Sequence, residues 1–138
     1  MDYKIQLRSI GFGLLSAFVT ISVVEAIGHM MYPVASDIDF NNKEVMKSFV
    51  ATLPSGALYF VVGAWLIGSM VGGYVATRFD KIKGRLNSVL TGGLVLLFTI
   101  LNLVMIPHPT WMWITAIVGI IPFCLLGYYL AEKKPSAD

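Results

Sequence analysis

The chain has 138 residues, of which 57% are hydrophobic and only 13% charged, and its mean hydropathy is +0.76. Ordinary soluble domains carry about 25% charged residues, so this composition argues against a soluble monomer. Ten Lys and Arg against eight Asp and Glu leave a net charge of +2, with no basic run interleaved with exposed aromatics, which removes nucleic acid as a partner.

An ionised side chain at the bilayer centre costs about 2.5 to 3.5 kcal/mol, so charge-free stretches mark where the chain can cross a membrane. Residues 9 to 36 contain one acid, Glu25, while residues 48 to 77 and 86 to 131 contain no Asp, Glu, Lys or Arg. About 20 residues cross a hydrocarbon core, so the longest stretch is two helices divided at Ile106-Pro107-His108-Pro109. The expectation is an all-α, single-domain integral membrane bundle of four spans, 9–32, 55–77, 86–106 and 110–131. A short amphipathic helix is expected in the 33–54 loop.

The first span follows Lys4 and Arg8. A secretory signal peptide is the rival reading, but the apolar run outlasts a signal core of about 7 to 15 residues and carries Glu25 and His29 near its end. Within the span, His29 lies four residues after Glu25 and Ser22 three before it. On a helix these share a face, with side-chain roots about 5 to 6 Å apart. The 33–54 loop begins after Tyr32 with Pro33 and closes with Leu53-Pro54. Between them Val45, Met46, Phe49, Val50 and Leu53 recur at helical spacing, which predicts a helix over Asn42 to Leu53 with Asp39, Asn41 or Asn42 as its N-cap. Such a helix lies on the outer surface or caps the bundle; a substrate lid is the alternative role.

In the second span Ala64, Gly68, Gly72 and Ala76 recur every fourth position, with Ser69 and Gly73 beside them. Lipid leaves little hydrophobic force between spans, so small residues that let backbones approach have to provide much of the packing. Ser9, Gly13 and Ala17 in the first span and Ser88 and Gly92 in the third are the matching surfaces. The second span is therefore expected against the first or third, with a homodimer interface as the competing use of that face. The third span carries Thr99 and Asn102 toward its outer end, and the fourth contains Pro122, which removes one backbone hydrogen bond and predicts a kink. Trp111, Trp113 and Tyr59 at one level and Tyr74, Tyr128 and Tyr129 at the other fit interfacial belts. Met31-Tyr32-Pro33 against Met105-Ile106-Pro107, and Gly73-Tyr74 against Gly127-Tyr128, suggest two helical hairpins related by an axis along the membrane normal.

Eight of the ten basic residues, Lys4, Arg8, Arg78, Lys81, Lys83, Arg85, Lys133 and Lys134, fall on one side of this arrangement. The positive-inside rule then places both termini and the 78–85 loop in the cytoplasm. Lys43 and Lys47 share the outer loop with Asp37, Asp39 and Glu44. Every strong polar candidate then falls toward the outer side: Glu25, His29, Asn102 and His108, with Ser22 and Thr99 near them. Together they suit a proton or cation site open to the outside, or a structural hydrogen-bond cluster. Glu25, His29 and His108 are also chemically adequate metal ligands. No enzyme and no cofactor are expected: Cys124 is a lone cysteine in an apolar helix, and neither a phosphate-cradling glycine loop nor a serine elbow is present.

Val24-Glu25-Ala26-Ile27-Gly28 resembles the first helix of the small multidrug resistance transporters, four-span proteins with a membrane glutamate. That likeness covers five residues, and the third span lacks that family's tryptophan and glycine pattern, so membership is not inferred. Across most of the chain, Glu25-Ala26-Ile27-Gly28-His29, Tyr32-Pro33, Leu53-Pro54-Ser55-Gly56-Ala57-Leu58 and Asn102 with Ile106-Pro107-His108-Pro109 look similar to a group of uncharacterised small bacterial membrane proteins. This resemblance implies four helices in a bacterial cytoplasmic membrane and supplies no activity. The leading expectation is a non-enzymatic protein whose outward-facing cluster binds a proton, cation or small solute, within a homo-oligomeric transporter or channel. The alternative is an accessory subunit of a larger membrane protein, contacting it through the Ala64, Gly68, Gly72 and Ala76 face. Its partners are the lipid bilayer and either itself or that larger protein.

Overall fold

The computed structural model describes residues 3–34 and 37–133, so Lys134 lies outside the described residues. The described residues are 84% helix, with no strand among them. Its elements are α1 (Tyr3–Met31), α2 (Lys43–Thr52), α3 (Ser55–Phe79), α4 (Gly84–Met105) and α5 (Thr110–Glu132). The four long helices are each apolar and long enough to cross a membrane, which makes this a multi-pass membrane protein by length and composition. Helix boundaries follow the local chemistry. Pro54 and Pro109 stand immediately before α3 and α5, where a missing amide proton costs nothing. Asn42 caps α2, its side-chain oxygen accepting from Glu44 N at 3.0 Å and Val45 N at 3.3 Å. Asp39 instead accepts from Asn41 N, forming the turn ahead of the cap. The expected first span began at residue 9, whereas α1 starts at Tyr3. Lys4 and Arg8 bar the chain from lipid but not from a helix, so the helix outruns the apolar run.

α3 is the central helix: it packs closely against both α1 and α5, and also touches α4, while the α1 and α5 backbones do not approach each other. The expected small-residue face supplies the first of these contacts. Ala64, Gly68, Gly72 and Ala76 are all buried. A Cβ on Gly68 would stand 2.9 Å from Ala17 O, and one on Gly72 would stand 2.9 Å from Gly13 O, so the two backbones approach closely, with the side chains of Ile21 and Ala17 packed against the same glycines. The second contact was not expected from the pattern. Gly73, on the adjoining face, lies against the carbonyl of Cys124, and Gly127 lies against the carbonyl of Met70, so α3 and α5 also meet backbone to backbone. Two faces of one helix carry small residues, and each takes its own neighbour.

The Ala64 to Ala76 face is therefore occupied within the chain rather than presented to another molecule. Hairpins exchanged by a two-fold axis would require α5 to meet α1 as α3 meets α4; the α5 and α1 backbones do not approach each other, so the suggested internal symmetry is absent from the packing. α5 runs unbroken as a helix through Pro122. Around the outside, large apolar side chains such as Leu7, Leu15, Val23, Val104 and Val118 are exposed, as a lipid-facing surface requires. α2 alone stands apart. No Cα pair within 8 Å joins it to any long helix among the described residues, and it reaches the bundle through the side chains of Met46 and Val50, which are buried, and Phe49 and Leu53.

Candidate functional site

α1 and α4 bring their 31 and 105 ends to the same end of the bundle as α2, here the loop end; the 79–84 connection lies at the opposite, basic end. At the loop end Glu25 and His29 on α1 and Asn102 on α4 line one chamber of about 630 Å³, and the 106–109 turn adds His108 to it. The roof is α2, through Met46, Phe49, Val50 and Leu53, and Leu58 and Val61 of α3 form a wall. The loop helix thus occupies the position of a lid.

Glu25 lines two further spaces. On the side where α1 faces α4 it borders a cleft of about 170 Å³ with Phe18, Ile21, Trp65, Phe98, Thr99 and Asn102. Between α1 and α3 it borders a pocket of about 70 Å³ with Gly28, Tyr32 and Phe60. The Glu25 side chain thus borders both the space under α2 and a side opening between α1 and α4. Phe18 and Phe98 meet edge to face at 5.3 Å across the α1–α4 gap, at the basic-end margin of that cleft. His29, one turn beyond Glu25, is near enough to interact with it electrostatically.

His108 is held from two sides. Its Nδ1–H donates to Ile106 O at 2.7 Å, and Trp65 packs edge-on with ring centres 6.0 Å apart. Burial pushes its pKa below the ordinary imidazole value, with the Ile106 bond opposing. The ring is therefore neutral near pH 7, and with Nδ1–H committed its other nitrogen is a free acceptor.

Of the residues expected at the site, Glu25, His29, Asn102 and His108 share the chamber, and Thr99 joins Glu25 and Asn102 in the cleft. Thr99 is buried and its hydroxyl donates to Val95 O at 2.9 Å, so it serves the helix rather than Glu25. Ser22 is exposed and belongs to none of these linings; Ile21, four residues before Glu25, takes the inward place. Among the described residues no three His, Cys, Asp or Glu side chains come together as a metal site, Glu25, His29 and His108 included.

A second polar region was missed from sequence. At the basic end Ser9 donates to Ala76 O at 2.5 Å, and Asn87 Nδ2 donates to Ser9 Oγ and to Asp80 Oδ2, each at 3.1 Å. Lys83 joins it, its backbone N–H donating to Asp80 Oδ1 and its ammonium to Gln6 Oε1 at 3.2 Å. Asn87 and Thr91, one turn apart inside a charge-free stretch, were the signal for it.

Comparison with known protein families, curated proteins and solved structures finds no match for this chain. The likeness to small bacterial membrane proteins accordingly rests on the short motifs quoted above.

Proposed function

We propose that this is a non-enzymatic protein of the bacterial cytoplasmic membrane, working as a small transporter or channel that binds a proton, a cation or a small solute beside Glu25. The observation that carries this reading is that one carboxylate at membrane depth borders both the chamber under α2 and the cleft between α1 and α4. A carboxylate half-buried in an apolar helix is costly and has use where charge must be received, released or paired. His29, Asn102 and the free nitrogen of His108 offer further polar contacts, and α2 is the element that moves to admit the solute. Both termini lie in the cytoplasm and the chamber opens outward, following the basic residues at the opposite end. The alternative, an accessory subunit docked through Ala64, Gly68, Gly72 and Ala76, is weakened because that face already packs inside the chain.

Glu25→Gln tests the site. In reconstituted vesicles the native protein should show a pH-dependent cation or proton flux that the variant loses while keeping its helical spectrum and oligomeric mass. A flux unchanged by the substitution removes Glu25 from the mechanism. Orientation is read separately: Lys43→Cys in a Cys124→Ser background should be labelled by a membrane-impermeant thiol reagent on intact cells. Labelling only after lysis would reverse the topology.

A further inference from the structure

Within a membrane bundle a buried polar atom has no bulk water to pair with, so each one left alone marks a cost or a missing partner. Asn87 Oδ1 and Thr91 Oγ1 are such atoms: both residues are fully buried, and neither atom has a hydrogen-bond partner among the described residues.

The orientation of the Asn87 amide is fixed by its neighbours. Ser9 spends its hydroxyl proton on Ala76 O, and the Asp80 carboxylate only accepts, so both need the NH2 side of Asn87. Turning the amide over would set its oxygen against two acceptors, which leaves Oδ1 facing away from them in need of a donor. Thr91 is exceptional in another way. Thr20, Ser69, Thr77, Thr99 and Thr115 each donate to the carbonyl four residues earlier, whereas the Thr91 hydroxyl makes no such bond. Its Oγ1 instead faces the α1–α3 seam, 3.1 Å from where a Cβ on Gly13 would stand.

The two atoms belong to side chains four residues apart on α4, whose roots are about 5 to 6 Å from each other. A water between them takes a bond of about 2.8 Å to each side. Half-buried Asp80, Lys83 and Gln6 link Asn87 to the basic end by hydrogen bonds, so the polar groups nearest this pair lie on that side. One turn beyond Thr91 the same face presents Val95, 1% exposed, and one turn further Thr99, which lines the Glu25 cleft.

We propose that a water molecule bridges Asn87 Oδ1 and Thr91 Oγ1, reached from the basic end past Asp80, and that Val95 is the single apolar layer between this hydrated site and the Glu25 cleft. The inner face of α4 then carries two polar compartments that open toward opposite ends. The inference does not depend on what the Glu25 chamber binds.

Water-edited solid-state NMR of the full chain in lipid bilayers tests it directly. Polarisation transferred from water should reach the Thr91 side chain at mixing times too short for Val95. It should also be absent from Ser69, which is equally buried but has its hydroxyl bonded to Trp65 O. Asn87→Leu removes one anchor and should abolish the Thr91 signal, with the signal of exposed loop residues unchanged. A native Thr91 as dry as Ser69 overturns the proposal, as does a water signal at Val95 equal to that at Thr91. Should Asn87→Leu fail to fold, the native measurement alone decides.

Discussion

The backbone contact between α3 and α5 makes a prediction in which helix propensity cancels. Gly→Ala inside a helix gains up to about 1 kcal/mol wherever it is made, because alanine loses less backbone freedom on folding. At Gly63 and Gly93 an added Cβ meets nothing within 4 Å, so that gain, or no change, is the expected result. At Gly73 the same methyl overlaps Cys124 O, and at Gly127 it overlaps Met70 O and stands 2.7 Å from Tyr74 N. These are backbone atoms, which cannot rotate aside as a side-chain tip can, so α3 and α5 must separate along their length. Overpacking costs about 1 to 3 kcal/mol, and a backbone clash belongs at the upper end. Since propensity is common to both classes, the difference between them is the clash itself, about 2 to 3 kcal/mol. Unfolding of the four single variants in mixed micelles by increasing denaturing detergent, followed by circular dichroism, measures it. Equal stability of Gly93→Ala and Gly127→Ala would refute the close α3–α5 approach.

Two further outcomes concern the chamber. Because burial lowers the pKa of His108, the unfolded chain takes up a proton before the folded one does. Stability is therefore full above the ordinary imidazole pKa of about 6.5 and falls as pH drops through that value toward the folded one. Melting against pH should show this decline in the native protein and a flatter profile in His108→Gln; parallel profiles would mean that the ring is not buried as described. Asn42→Ala removes the cap of α2 at a cost of about 1 kcal/mol. With no close backbone contact to hold it, the roof should fray, making Trp65, which packs against the chamber residue His108, more accessible to acrylamide quenching in a Trp111→Phe, Trp113→Phe background. Unchanged quenching would mean that α2 does not cover the chamber.

Membrane spans are legible because the cost of burying charge is a local property, paid residue by residue. Stretches without charge, broken by Pro54, Pro107 and Pro109, located α3, α4 and α5 to within a turn at each end, and spacing in the loop located α2 and its cap at Asn42. The depth of a side chain follows from its number at 1.5 Å per residue, which is why Glu25, His29, Asn102 and His108 were expected at one level and share one chamber. Helix rotation is different. It is set by which neighbour fills which groove, and the small residues of α3 offered two faces for one visible pattern. Only packing decided that Gly73 and Gly127 join α3 to α5, that Ile21 turns inward while Ser22 turns out, and that α2 roofs the chamber instead of lying clear of it. The pairing of Ser9 and Asn87 with half-buried Asp80 depended on the same choice, since it joins α1 and α4 to the residue that ends α3, and no single stretch of sequence records their mutual rotation.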